Sequence, residues 1–262
     1  MVSILGIPYD DSSSYLKGPA LGPDAIRKAL HNPSSNLSTE SGLELHEHPK
    51  LIDQGNVAFF GEKDWLTTIE ESVHGLLQEK QRVLSLGGDH SITYPIIKAF
   101  AAYYETLTIL HLDAHPDLYN EFEGNRYSHA CPFARIMESG LAQRLVQVGI
   151  RTMTKHQRAQ ANKFGVEVFE MSRWEAYKSL KLDGPVYLSV DLDVLDPAFA
   201  PGVSHKESGG LTTRELLGII QGLDVQLVGA DIVELNPRCD LHDVTAMVGA
   251  KIMKEIVSNM IS

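Results

Sequence analysis

The stretch LTILHLDAHPD, Leu107 to Asp117, opens as an apolar, partly β-branched run and ends in acids and imidazoles at every second position. A strand that is apolar throughout, rather than alternating, is predicted to be buried on both faces, which implies a parallel sheet covered by helices. Its charged end points to a ligand, because open parallel sheets bind ligands beyond the carboxyl ends of their strands. In extended backbone, residues i, i+2 and i+4 face one side, so Asp113, His115 and Asp117 can form one wall of a metal site. A solvated acidic loop is the competing reading.

Similar runs recur along the chain. Strands are predicted at Val2–Leu5, Val57–Phe60, Val83–Leu86, Leu107–Leu112, Leu145–Ile150, Val166–Phe169, Val186–Val190 and Val225–Val233. Helices are predicted at Asp64–Gln81, Ser91–Glu105, Ala130–Ser139, Lys155–Phe164, Thr212–Gly222 and Val244–Asn259, with another starting at Gly22-Pro23 and running toward Leu30. Strands alternating with helices, without a linker or repeat, predict one α/β domain over residues 1–262.

Four of the predicted strands end in unusual residues. Val83–Leu86 leads to Gly87-Gly88-Asp89-His90-Ser91, Leu107–Leu112 to Asp113-Ala-His115-Pro-Asp117, Val186–Val190 to Asp191-Leu-Asp193, and Val225–Val233 to Glu234. Taken singly, the glycines can serve a tight turn and Ser91 a helix cap. Carboxylates starting at a buried sheet end are costly unless a cation neutralises them. Two imidazoles (His90, His115) and four carboxylates (Asp113, Asp117, Asp191, Asp193) exceed what one zinc ion takes, so the count points to two metals. An oxygen-rich set with some nitrogen suits Mn²⁺, although affinity alone favours Zn²⁺ or Ni²⁺. Paired divalent ions make hydroxide available near neutral pH, and the implied chemistry is hydrolysis.

The bulk composition narrows the class. The 262 residues carry a formal charge of −11, which argues against a nucleic-acid partner. No apolar run approaches the roughly 18 residues of a membrane span. The start of the chain reads as a first strand and turn rather than a signal peptide. Two cysteines far apart, Cys131 and Cys239, predict no disulfide framework and a cytoplasmic location.

Together these segments resemble the ureohydrolases, the family of arginase, agmatinase and their relatives. Gly87-Gly-Asp-His-Ser91, Asp113-Ala-His-Pro-Asp117 and Ser189-Val-Asp-Leu-Asp-Val-Leu-Asp-Pro197 are similar to its three signature segments. The likeness extends through Gly6-Ile-Pro8, the Gly18 to Pro23 turn, Gly149-Ile-Arg151 and Gly229 to Glu234. Glu123 to Ala130, Phe133 to Glu138 and Ala198 to Gly210 look most like plant-type arginases and their bacterial, agmatinase-like counterparts. The segment after Pro201 departs from the Gly-Thr-Gly-Thr-Pro-Glu run usual in agmatinases, which leaves the substrate's tail open.

The resemblance implies an arginase-like three-layer α/β/α fold with a mostly parallel eight-stranded sheet, and two Mn²⁺ ions per subunit. One ion takes His90, Asp113, Asp117 and Asp191; the other takes Asp113, His115, Asp191 and Asp193. Hydroxide attacks the guanidinium carbon of L-arginine or agmatine, giving urea with ornithine or putrescine; guanidinobutyrate and guanidine are alternatives. Glu234 corresponds to the guanidinium-binding glutamate and His129 to the proton-relay histidine. Asn125, Ser128 and His205 are candidate contacts to the substrate. A homo-oligomer, trimer or hexamer, is implied.

Other residues read more plainly. His111 is a core or supporting histidine, Asp196 a turn residue and Cys131 a small packed side chain. Asp231 either orients a metal-ligating imidazole or makes ordinary structural hydrogen bonds. Two rival functions stay open: a non-catalytic metal or ligand sensor, and an amide hydrolase related to deacetylases. Glu234 opposes the latter, because a neutral acyl group does not require a buried anion.

Overall fold

The computed structural model describes residues 1–60 and 63–261. Its strands are β1 (Val2–Ile7), β2 (Leu51–Asn56), β3 (Arg82–Gly87), β4 (Thr108–Leu112), β5 (Arg144–Ile150), β6 (Glu167–Glu170), β7 (Val186–Asp191) and β8 (Leu227–Val233). They form one sheet in the order β2-β1-β3-β8-β7-β4-β5-β6, and every pairing is parallel. The helices are α1 (Gly22–Leu30), α2 (Trp65–Gln78), α3 (Thr93–Ala101), α4 (Pro132–Glu138), α5 (Lys155–Phe164), α6 (Thr213–Gln221) and α7 (Val244–Ile261).

Alternate side chains of the central strands point to opposite faces, and each face meets its own helix layer. Leu84, Leu86, Leu110, Leu112, Leu188 and Val190 pack with α1, α6 and α7. Val83, Ile109, Leu145, Tyr187 and Val233 pack with α2, α3, α4 and α5. This is the expected three-layer α/β/α arrangement, with a sheet that is wholly rather than mostly parallel. The two-sided burial explains why these strands are apolar at every position. Among the described residues, no helix is long and apolar enough to cross a membrane.

Local chemistry sets the helix ends. Thr154 and Thr212 each form a capping box, with Gln157 and Glu215 respectively, and Gly165 closes α5 in the left-handed conformation. Asp64 caps α2 by accepting the Thr67 N–H.

One strand lies elsewhere than expected. The second strand is Leu51–Asn56, not Val57–Phe60. As an edge strand with five exposed residues it needs no apolar face, so the sequence Leu-Ile-Asp-Gln-Gly-Asn carries no hydrophobic pattern. A 3₁₀ stretch at Met171–Ser179 was likewise not foreseen; it has no buried residue to mark it.

The turn after β3 shows why its glycines are there. A Cβ on Gly88 would meet the Tyr9 carbonyl oxygen at 1.7 Å, so only glycine lets the segment after β1 lie across this turn. Asp89 N–H donates to that same carbonyl at 2.9 Å, and Glu234 N–H donates to the Gly88 carbonyl at 2.9 Å. Gly88→Ala is therefore expected to cost about 2 kcal/mol of folding stability. Urea denaturation at unchanged slope is the check; a midpoint equal to that of the unsubstituted protein would refute the close approach.

Candidate metal centre and active site

The four strands with acid or imidazole ends are the four adjacent central ones, β3, β8, β7 and β4. Their carboxyl ends converge, bringing His90, Asp113, Asp191, Asp193, His115, Asp117 and Glu234 onto one rim. Two of these residues sit in left-handed backbone, Asp117 at φ 48° and Glu234 at φ 65°. Such conformations are costly for residues other than glycine and concentrate at functional sites.

His90 is fully buried, and its Nδ1 lies 3.1 Å from Asp117 Oδ2 and 3.2 Å from both Asp113 Oδ2 and Asp191 Oδ2. Among the described residues, that Nδ1 is without a hydrogen-bond partner. The other face of the ring explains this. His90 Nε2 is 3.0 Å from Ser189 Oγ, Ser189 donates to Asp231 Oδ1 at 2.7 Å, and Tyr187 and Thr93 donate to Asp231 Oδ2 at 2.9 Å. With the Ser189 proton on Asp231, Nε2–H donates to Ser189, which turns Nδ1 toward the three carboxylates. Asp231 thus orients the imidazole through Ser189.

A second group lies beside the first. His115 Nδ1 is 3.0 Å from Asp193 Oδ2 and 3.5 Å from Asp113 Oδ1. Backbone donors fix the carboxylates: Asp193 Oδ1 accepts from Ala114 N–H at 3.1 Å, and Asp191 Oδ1 from Asp193 N–H at 2.7 Å. Each thereby turns its remaining oxygen to the cluster. His111 Nδ1 accepts from Gln147 at 3.0 Å, so its Nε2–H donates to Asp113 Oδ2 at 2.7 Å.

This donor set fits divalent cations. Ligand atoms about 2.1 Å from one octahedral ion and at right angles to each other stand about 3.0 Å apart, close to the spacings around His90 Nδ1. The electrostatics agree. Burial, then Asp193 and Asp113, push the Asp191 carboxyl well above its ordinary range. Burial also lifts Asp193 to about 6 against the attraction of His115. Buried carboxylates that raise one another are short of positive charge, which metal ions supply.

Beyond the cluster is a cavity of about 170 Å³ lined by Ser14, Tyr119, Phe122, Ala130 and Gln157, together with His129, His205 and Glu234. A larger cleft of about 530 Å³ lies between Tyr177–Leu182 and α6, and none of these ligands lines it. Glu234 Oε1 accepts from His90 N–H at 3.0 Å and lies 2.8 Å from His129 Nδ1. Burial opposes charge on Glu234, but His129 and the His90 N–H hold its pKa below the ordinary value. His205 stands at the mouth, its ring centroid 5.1 Å from that of His129 and 5.9 Å from that of His115.

Asn125 and Ser128 are turned to local roles, outside the cavity lining. Asn125 Oδ1 accepts from Tyr127 N–H at 2.8 Å, and Ser128 Oγ from Ala130 N–H at 3.4 Å. Asp196 accepts backbone N–H groups from Ala198 and Gly209, as a turn residue does. Cys131 is buried, which pushes its thiol up to about 12. Ser14, Tyr119, Phe122 and Gln157 escaped the sequence reading, since a serine run and isolated aromatics carry no ligand signature.

An all-parallel α/β sheet with buried acids and imidazoles gathered on one rim makes a candidate metal site. The model for the Arginase family matches residues 1–258. The chain is 47% identical to "Arginase 1, mitochondrial" of Oryza sativa subsp. indica, over 98% of this chain and 81% of that protein. It is 38% identical to an agmatinase of Neisseria meningitidis serogroup C, over 97% of this chain and 85% of that one. The solved structure of arginase from Medicago truncatula superposes with a TM-score of 0.93 at 44% identity, covering 99% of this chain and 87% of that one. The chain belongs to the arginase family and is a hydrolase of that family.

Proposed function

We propose that the protein is a dinuclear Mn²⁺ ureohydrolase that cleaves L-arginine to urea and ornithine, with agmatine as the alternative substrate. The observation that carries this is the buried Nδ1 of His90 placed 3.1–3.2 Å from three carboxylate oxygens. His90, Asp113, Asp117 and Asp191 would hold one ion; Asp113, His115, Asp191 and Asp193 the other. When bound, the pair supplies a hydroxide-like nucleophile at neutral pH. Glu234, buried and ionised, accepts the N–H groups of the substrate's guanidinium. His129, hydrogen-bonded to Glu234, moves the proton to the departing amine. The small cavity keeps bulk water from this proton, and His205 closes against the substrate's tail while Asn125 and Ser128 shape the loop carrying His129.

Arginine is favoured by the similarity to plant arginases. In this reading residues 1–262 act as one domain, assembled into trimers or hexamers in the cytoplasm. Urea release should be assayed over arginine, agmatine, guanidinobutyrate and guanidine with Mn²⁺ added, and again after chelation. Arginine is expected to be turned over fastest, with chelation removing the activity. Preference for another guanidine would reassign the substrate. Tight guanidine binding without urea from any of them would favour the sensor reading and overturn the enzyme assignment.

A further inference from the structure

The imidazole of His129 is held from behind by a segment with no part in metal binding. Ser14 N–H donates to His129 Nε2 at 3.2 Å, and Ser14 Oγ lies 2.8 Å from the same nitrogen. His129 N–H donates in turn to the Ser12 carbonyl at 3.2 Å. Asp89 anchors the segment: its Oδ2 accepts from Ser12 N–H at 3.1 Å and from Ser13 Oγ at 3.0 Å. The close approach of Tyr9 to Gly88 brings these serines within reach.

We propose that Ser14 is the positioning residue for His129, holding the neutral ring with Nε2 bare and the proton on Nδ1, toward Glu234. The backbone N–H of Ser14 can only donate, so it opposes a proton on Nε2. The hydroxyl donates to the neutral ring and accepts from the protonated one, so it serves His129 on both sides of a proton transfer. Glu234 on the opposite nitrogen completes an arrangement in which both ring atoms have assigned partners, which fixes the tautomer. The other groups facing His129 are Asp89 and Asp117, whose charges raise its pKa, and His205, whose ring centroid is 5.1 Å away; replacing Ser14 alters the charge of none of them.

The assignment deepens the ureohydrolase reading, on which its kinetic arm rests; its spectroscopic arm does not depend on turnover. Protein labelled with ¹⁵N-histidine and loaded with diamagnetic Zn²⁺ is compared with Ser14→Ala and Ser14→Thr, the His129 signals being those lost in His129→Asn. Above pH 9, where the ring is neutral, Nε2 is expected to be unprotonated and Nδ1 protonated in the unsubstituted protein and in Ser14→Thr; Ser14→Ala, which keeps the backbone N–H, should retain this tautomer but shift the Nε2 signal as the hydroxyl bond is lost. With Mn²⁺, Ser14→Ala should lower kcat about tenfold, leave KM and metal content within about twofold, and be rescued by Ser14→Thr. A protonated Nε2 in the unsubstituted protein at that pH, or an unchanged Nε2 signal and kcat in Ser14→Ala, would overturn the assignment. Failure of every guanidine to release urea, with the Nε2 signal still dependent on Ser14, would sink the proposed activity and leave Ser14 assigned.

Discussion

Asp193→Ala is expected to lower kcat for urea release on the order of 10³-fold and to cut bound Mn²⁺ from two ions per chain to one. Asp193 supplies the oxygen 3.0 Å from His115 Nδ1, so alanine leaves that imidazole facing Asp113 alone. The group around His90 uses Asp113, Asp117 and Asp191, and none of them is touched by the change. Loss should therefore fall on one ion. Alanine also orphans the Ala114 N–H, whereas Asp193→Asn keeps an acceptor there and removes only the charge. The asparagine variant separates metal loss from loop distortion, and it is expected to lose activity nearly as severely. Burial lifts Asp193 to about 6 in the metal-free protein, so loss of its charge should cost that form little, and any destabilisation in the alanine variant should come from the orphaned Ala114 N–H. What should shrink is the rise in Tm on adding Mn²⁺, since a ligand stabilises only as far as it binds the folded state. Elemental analysis, thermal melts and a urea assay on the same samples provide the test. Two ions per chain with full activity in the alanine variant would remove Asp193 from the metal site.

The same cluster marks how far the sequence could be read. Its members were legible because each follows a strand apolar enough to be recognised, and a carboxyl strand end is a defined place in a parallel sheet. The order of those strands was not legible. Nothing in the chain says that β8 lies between β3 and β7, yet that placement sets Glu234 beside His90 and Asp231 beside Ser189. The edge strand β2 was misplaced for the opposite reason, since exposure at an edge removes the pattern by which a strand is recognised. Ser14 meets His129 across 115 residues, through a turn whose geometry depends on Gly88 having no side chain. Contacts of that kind depend on shape, and a run of three serines does not encode it. His111 shows the middle case: its place inside β4 marked it as a core histidine, while its hydrogen bond to Asp113 became visible only with Gln147 fixing its other nitrogen.

Glu234→Gln is expected to lower kcat/KM with arginine by about 10²–10³-fold while metal content stays at two ions per chain. Glu234 is buried and held ionised, its pKa kept below the ordinary range by His129 and the His90 N–H despite burial. A guanidinium entering this cavity needs an anionic acceptor in place of water. Truncating one partner of a buried charge pair costs about 2–5 kcal/mol, and each 1.4 kcal/mol is tenfold. Glutamine has the same shape and can still accept the His90 N–H with its carbonyl oxygen, so the turn at φ 65° and the metal ligands should be kept. It can offer the guanidinium only one oxygen, uncharged, and an N–H₂ group that repels it. The loss should divide between the two constants: KM rises because the ground-state cation is held less well, and kcat falls because the oxygen facing His129 Nδ1 no longer carries charge. The contrast with Asp193→Ala is then diagnostic, one variant losing metal and the other losing substrate affinity with metal intact. If Glu234→Gln instead turned over arginine normally, the guanidinium-binding role would fail, and with it the reason for preferring a guanidine over a neutral amide.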